Sequence, residues 1–71
     1  MAATDDLETP RALLARELVD LMGAHELRYW CSENGIKRKR GDRKHETALR
    51  AVDQRPDLVI EKLRQEGRDI P

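Results

Sequence analysis

Residues 34–44 read Asn-Gly-Ile-Lys-Arg-Lys-Arg-Gly-Asp-Arg-Lys, and they separate two segments that have the periodicity of α-helices. A glycine just past a helix can adopt the left-handed conformation, and an apolar residue directly after it can fold back onto the last turn. Gly35 and Ile36 fit these two positions, so we predict that a helix ends at Asn34. The basic run from Lys37 to Lys44 then leads into the next helix.

The segments on either side of this stretch predict four helices and no strand. Apolar residues recur every three or four positions in each segment, which is the spacing of a helix that buries one face. Pro10 and Pro56 suit the first turn of a helix, Asp42 suits the N-cap of the third helix, and Gly67 suits the position after the last helix. The predicted helices span 10–22, 24–34, 43–53 and 56–66.

Length and composition indicate one small domain. The chain has 71 residues, of which 38% are hydrophobic and 39% charged, with one Trp, one Tyr and no Phe. A core of this size rarely supplies more than about 3–5 kcal/mol of net stability. We predict an all-α, four-helix domain over 9–67, a disordered N-terminal tail over 1–8 and a C-terminal tail over 68–71. The predicted buried centre consists of Leu18, Leu27, Trp30, Leu49, Val52 and Leu63.

The second predicted helix carries both aromatic residues and the single cysteine. Trp30 shares a face with Leu27 and Cys31, so we expect Trp30 to be the main core anchor and Cys31 to be a buried apolar residue. Tyr29 falls off that face and is expected to be exposed. His25 and Cys31 do not have the spacing of two zinc ligands.

We expect neither catalysis nor a cofactor. No nucleophile is accompanied by a base and an orienting group, and the acidic residues are scattered over predicted helix exteriors. A lone cysteine gives no reason to expect an oxidising compartment, and no segment has the pattern of a signal peptide or a membrane span. We therefore predict a non-enzymatic, cytoplasmic protein that does not contact the membrane.

Positive charge is concentrated in one part of the chain. Lys and Arg number 14, as do Asp and Glu, and residues 37–50 hold seven of the bases but only two of the acids. Such a field attracts phosphates, although basic runs also occur in solvated turns and in localisation signals. We therefore predict a nucleic-acid site. Its basic residues are Lys37, Arg38, Lys39, Arg40, Arg43, Lys44 and Arg50.

The chain runs from a helix that ends in Asn-Gly-Ile, through a basic loop with an internal glycine, to a helix that begins with Arg-Lys. This order resembles the SAP module and, more broadly, the helix-extended-loop-helix class, which includes the N-terminal module of the Rho transcription terminator. The resemblance covers 22–52, and Thr47 stands where the family has a leucine. It implies that the loop and the start of its second helix face a DNA backbone, with Gly41, Arg43 and Lys44 as site residues. The matching positions are Met22, Leu27, Cys31, Gly35 and Ile36, followed by Gly41 and Lys44 in the loop.

The predicted function is binding of nucleic acid through phosphates with weak sequence preference; duplex DNA is the favoured ligand and RNA is the alternative ligand. Few Arg, Asn or Gln residues are placed to read bases from a helix in the major groove. The alternative is a protein-interaction module, or a homodimeric accessory subunit that docks on a larger protein through the apolar faces of the first and fourth helices. Those faces carry Leu13, Leu14, Leu18 and Leu21 on the first helix and Val59, Ile60 and Leu63 on the fourth.

Overall fold

The structure, a computed structural model, describes residues 10–68, and this part of the chain forms four helices without a strand. The all-α, four-helix prediction is confirmed, and every predicted boundary lies within one residue of the observed one. The tail predicted over 1–8 lies outside the described residues, as does 69–71. The helices are α1 (Pro10–Leu21), α2 (Ala24–Glu33), α3 (Lys44–Gln54) and α4 (Pro56–Gln65).

The core lies between α1 and α3, which pack most extensively against each other, and α2 and α4 cover this pair. Ala15 on α1 and Ala48 and Ala51 on α3 are fully buried, and such small side chains allow helices to approach closely. Larger aliphatic residues fill the remaining space. The largest apolar side chains that are fully buried are Leu18, Leu27, Val59 and Leu63.

Two residues of the predicted buried centre are at its edge. Trp30 and Leu49 are only half-buried and pack against the core, so their assignment to its centre is wrong. Leu27 and Cys31, four positions apart, fill the middle of the inner face of α2, which leaves the indole at the side of that face. Tyr29 is 68% exposed, in agreement with the prediction for that residue.

The apolar faces of α1 and α4 are largely used inside the domain. Leu14 and Leu18 on α1 are buried, as are Val59 and Leu63 on α4. Among residues 10–68, Tyr29 is the one large hydrophobic side chain that is exposed. No helix in this range has the length and apolar character needed to cross a membrane.

The end of α2 has the predicted cap. Gly35 adopts a left-handed conformation with φ of 69°. The Ile36 N–H donates to the Cys31 carbonyl at 2.9 Å, and the Gly35 N–H donates to the Ser32 carbonyl at 3.3 Å. Ile36 is buried, which anchors the end of the helix to the core. The cap therefore determines where the chain leaves the core and enters the basic run.

A similar cap ends α4. Gly67 has φ of 80°, and the Arg68 N–H donates to the Leu63 carbonyl at 2.8 Å. The Arg68 guanidinium also donates to Glu17 at 3.1 Å and to Asp20 at 2.9 Å. Arg68, which the sequence assigned to the C-terminal tail, thus joins the end of α4 to α1.

Thr47 on α3 is the one polar residue in the described chain that is buried, at 1% exposure. Its hydroxyl has no hydrogen-bond partner within residues 10–68. Burial of an unpartnered hydroxyl costs about 1–3 kcal/mol, and valine has nearly the same shape. We expect Thr47→Val to raise the free energy of unfolding by about 1 kcal/mol in urea denaturation. Thr47→Ser, which keeps the hydroxyl and loses a methyl group, should lower it, and destabilisation by Thr47→Val would contradict this interpretation.

Candidate nucleic-acid interface

The candidate site is the segment from Lys37 to Arg43, which we call the basic loop, together with Lys44 in the first turn of α3. The loop connects the cap of α2 to the N-terminus of α3. Gln54 of α3 and Asp42 of the loop itself hydrogen-bond its backbone, and Arg50 of α3 binds the Asp42 carboxylate.

Gln54 holds the start of the loop. Its Nε2 donates to the Lys37 carbonyl at 2.6 Å, and its Oε1 accepts the Lys37 N–H at 2.8 Å. One amide side chain from the last turn of α3 thus satisfies both backbone groups of Lys37. Sequence reasoning missed Gln54, because the two residues are 17 positions apart and a glutamine near a helix end has no distinctive pattern.

Asp42 holds the turn in the second half of the loop. Its carboxylate accepts the Lys39 N–H at 3.0 Å, and its own N–H donates to the Lys39 carbonyl at 3.1 Å. Gly41, with φ of 86°, supplies the left-handed conformation that this turn requires. The Asp42 side chain is only 7% exposed, so the carboxylate that accepts this hydrogen bond is largely shielded from water.

The structure corrects the role predicted for Asp42 as the N-cap of α3. The N-cap residue is Arg43, and the Glu46 carboxylate accepts the Arg43 N–H at 2.7 Å. The Asp42 carboxylate instead binds Lys39 and Arg50, with the Arg50 Nε at 3.0 Å. An N-cap assignment from sequence considers only the adjacent helix and does not take this competition into account.

Arg50 differs from the other predicted site residues because its charge is paired. Its guanidinium donates to both Asp42 carboxylate oxygens, at 3.0 and 3.4 Å. A charge paired in this way contributes less field toward an approaching phosphate. The geometry indicates that Arg50 fixes the position of Asp42, and through it the turn of the basic loop.

Six cations of the site form no ion pair with any acidic residue in 10–68. Five of them are exposed, and Lys44 is half-buried. We call these residues the loop cations. They are Lys37, Arg38, Lys39, Arg40, Arg43 and Lys44.

Most of the described Lys and Arg residues other than the loop cations are paired with carboxylates. Arg11 pairs with Asp53 at 2.6 Å, and Lys62 pairs with Glu66 at 3.3 Å. Arg50, Arg55 and Arg68 also bind carboxylates. The unpaired positive charge of the described chain is therefore concentrated at the basic loop, where the resulting field would attract an anion.

Two further features of the site suit phosphate groups. Three loop cations and two residues near the end of α2 line a shallow pocket of about 270 Å³. The first-turn amides of α3 lack intrahelical partners, and the positive end of the helix dipole lies beside Arg43 and Lys44. Full charges and the positive end of a helix dipole are thus placed close together. The pocket residues are Ser32, Ile36, Arg38, Lys39 and Arg40.

The ion pairs of α3 predict acid sensitivity. Hydrogen bonds from Arg50 and from the Lys39 N–H lower the pKa of Asp42, and the Arg11 hydrogen bond lowers the pKa of Asp53. Because these pKa values are lower in the folded state, the stabilisation is complete above the unfolded pKa of about 4. It is lost as the pH falls through the folded values.

We expect the melting temperature to be nearly constant between about pH 7 and 5 and to fall below about pH 4. In Asp42→Asn the fall should be shallower, because one of the carboxylates with a lowered pKa is absent. Circular dichroism melts from pH 7 to 2 measure both curves, with Glu61→Gln as a control of equal charge change. An Asp42→Asn curve that follows the parent in shape would show that Asp42 contributes nothing to acid stability.

Neither a metal centre nor a relative gives a separate indication of function. Within 10–68 no three His, Cys, Asp or Glu side chains are grouped closely enough to hold a metal ion. Comparison with protein-family models, curated proteins and solved structures found no match to this chain. Function is therefore inferred from the charge and geometry of the basic loop.

Proposed function

We propose that this protein is a non-enzymatic module that binds duplex DNA through its backbone phosphates, with the loop cations as the binding groups. One observation carries this proposal: the charged groups of these cations form no ion pair in the described chain, whereas most of the other described Lys and Arg residues do. Exposed Lys and Arg side chains supply the electrostatic term that dominates non-specific binding to nucleic acid.

The fixed backbone of the basic loop supports the same function. Binding is weakened when a flexible loop must become ordered, and a backbone that is already held reduces that cost. Gln54 and Asp42 hold the two halves of the loop by four hydrogen bonds to the backbones of Lys37 and Lys39. In this proposal Arg50, Gln54 and Asp42 are positioning residues, and only the loop cations contact phosphate.

Weak sequence preference follows from the same arrangement. Base readout in the major groove requires Arg, Asn or Gln side chains that reach base edges, whereas contacts to phosphate carry no sequence information directly. Arg50, the one arginine in the interior of α3, is paired with Asp42. We favour duplex DNA over RNA as the ligand because the resemblance to the SAP module implies it. We also propose, from the sequence, that the protein is cytoplasmic.

The protein-interaction alternative has less support in the structure. It depends on the apolar faces of α1 and α4, whose central leucines and valine are buried within the chain. A homodimer or a larger partner would have to use their half-buried edges, including Leu21 and Ile60. Salt separates the two functions, because association through apolar surfaces changes little with ionic strength.

Fluorescence anisotropy with a labelled DNA duplex tests the proposed function. We expect a Kd of about 10⁻⁴ to 10⁻⁶ M at physiological salt and a slope of log K against log salt of roughly −3 to −4, which corresponds to three or four neutralised phosphates. A second duplex of scrambled sequence should bind within about threefold of the first. Absence of binding at low salt, or an affinity independent of salt, would contradict the proposal and favour the alternative.

A further inference from the structure

A pocket of about 420 Å³ lies beside α2 and differs in character from the basic loop. It combines two aromatic side chains with two carboxylates. Such a surface is unusual in this domain, because the aromatic content of the whole chain is one Trp and one Tyr. The lining residues are Met22, Glu26, Tyr29, Trp30, Glu33, Asn34 and Lys62.

The aromatic and acidic groups share one face of α2. Glu26, Tyr29, Trp30 and Glu33 follow at spacings of three, one and three, so they lie side by side along the helix. Tyr29 is 68% exposed and Trp30 is half-buried. The Asn34 side chain donates to the Trp30 carbonyl at 2.8 Å, which secures the end of this face.

The unpaired charge at the pocket is negative. Glu26 and Glu33 are exposed, and neither pairs with a cation in 10–68. Lys62 also lines the pocket, but its Nζ lies 3.3 Å from a Glu66 carboxylate oxygen, so its charge is compensated.

The negative charge decides between two ligands that aromatic rings attract. Bases of single-stranded nucleic acid stack on such rings, but the adjoining phosphates would approach Glu26 and Glu33 at close range. A cation has the opposite preference, because the face of an indole or phenol ring and a carboxylate both attract it. Among cations, a guanidinium binds such a surface most favourably, because it is planar, stacks on rings and hydrogen-bonds carboxylates.

We propose that this pocket binds an arginine-bearing segment of a basic partner protein. The guanidinium would contact the rings of Tyr29 and Trp30 and would be oriented by Glu26 and Glu33. Charge complementarity selects this occupant, since the pocket is acidic and aromatic. The inference is independent of the proposed DNA binding, which uses a surface of the opposite charge.

Trp30 is the single tryptophan of the chain, so its fluorescence reports directly on the pocket. Titration with the peptide acetyl-Gly-Arg-Arg-Gly-amide at low salt should give a saturable change in Trp30 emission. We expect Glu26→Gln with Glu33→Gln to weaken peptide binding about fivefold and Tyr29→Ala to weaken it about threefold. Glu61→Gln, an exposed acid of α4 that does not line the pocket, is the control and should have no effect.

Four outcomes would overturn this inference. The first is that the peptide gives no saturable change in Trp30 emission, and the second is that Glu61→Gln weakens peptide binding as much as Glu26→Gln with Glu33→Gln does. The third is that single-stranded oligothymidylate binds more tightly than the peptide, as judged by Trp30 emission. The fourth is that Trp30 emission changes with protein concentration alone. The last result would identify a second copy of this chain as the occupant if Arg40→Glu abolished it. Circular dichroism of each variant separates loss of the pocket from loss of the fold, and Glu26→Gln, Glu33→Gln and Tyr29→Ala all alter exposed side chains.

Discussion

Replacement of Lys39, Arg40, Arg43 and Lys44 by glutamate is expected to weaken DNA binding by at least about 100-fold, below detection at physiological salt. These side chains supply most of the unpaired positive charge of the site, so their reversal removes the electrostatic attraction and adds repulsion. The fold should be retained, because none of the four is buried and acidic residues suit the N-terminus of α3. Anisotropy titrations measure the affinity, and circular dichroism melts measure the fold.

A pair of double variants separates the position of the charges from their sum. The loop pair is Arg40→Glu with Arg43→Glu, and the helix pair is Arg28→Glu with Arg64→Glu. Each pair replaces two cations by two anions, which takes the formal net charge from 0 to −4. The loop pair should lose about tenfold or more in affinity, and the helix pair less than about threefold. Arg16 is a poorer control, because it lines a groove together with Lys44. Equal loss in the two double variants would reject the basic loop as the site.

Leu27→Ala is expected to leave the domain largely unfolded at 25 °C. Leu27 is fully buried, and truncation of a buried leucine costs about 2–5 kcal/mol. This loss is comparable to the whole stability of so small a core, which rarely exceeds about 3–5 kcal/mol. Trp30→Ala should cost less despite the larger side chain, because Trp30 lies half-buried at the edge of the core.

Urea denaturation followed by circular dichroism ranks the two variants. A Leu27→Ala protein that unfolds cooperatively near the midpoint of the parent would show that α2 does not depend on this contact. A Trp30→Ala protein less stable than Leu27→Ala would restore the indole as the main core anchor.

The helices could be predicted because their boundaries depend on local chemistry. Pro10 and Pro56 suit first turns and are the first residues of α1 and α4, while Gly35 and Gly67 permit the left-handed caps that follow α2 and α4. Apolar spacing likewise predicted Leu27 and Cys31 as core. It did not separate them from Trp30, because three residues within one helical turn share a face and only the neighbouring helices determine which is central.

The identity of the loop cations was also accessible from sequence, but the hydrogen bonds that hold the loop were not. Asp42 joins Arg50 eight positions away, and Gln54 joins Lys37 across 17 positions. Such pairings depend on how α3 packs beside the basic loop, whereas the periodicity of apolar residues describes only single helices. For the same reason the sequence did not separate the paired Arg50 from the unpaired loop cations.

An NMR titration of the ¹⁵N-labelled protein with a DNA duplex at low salt tests the central claim most directly. Binding through the basic loop predicts that the largest amide shifts fall within 37–44, including Gly41, and that they diminish together as salt is added. Amides of α1 and α4 should change little. Largest shifts along α1 and α4, or no shifts in 37–44 at saturating DNA, would contradict the assignment of the basic loop as a phosphate-binding site.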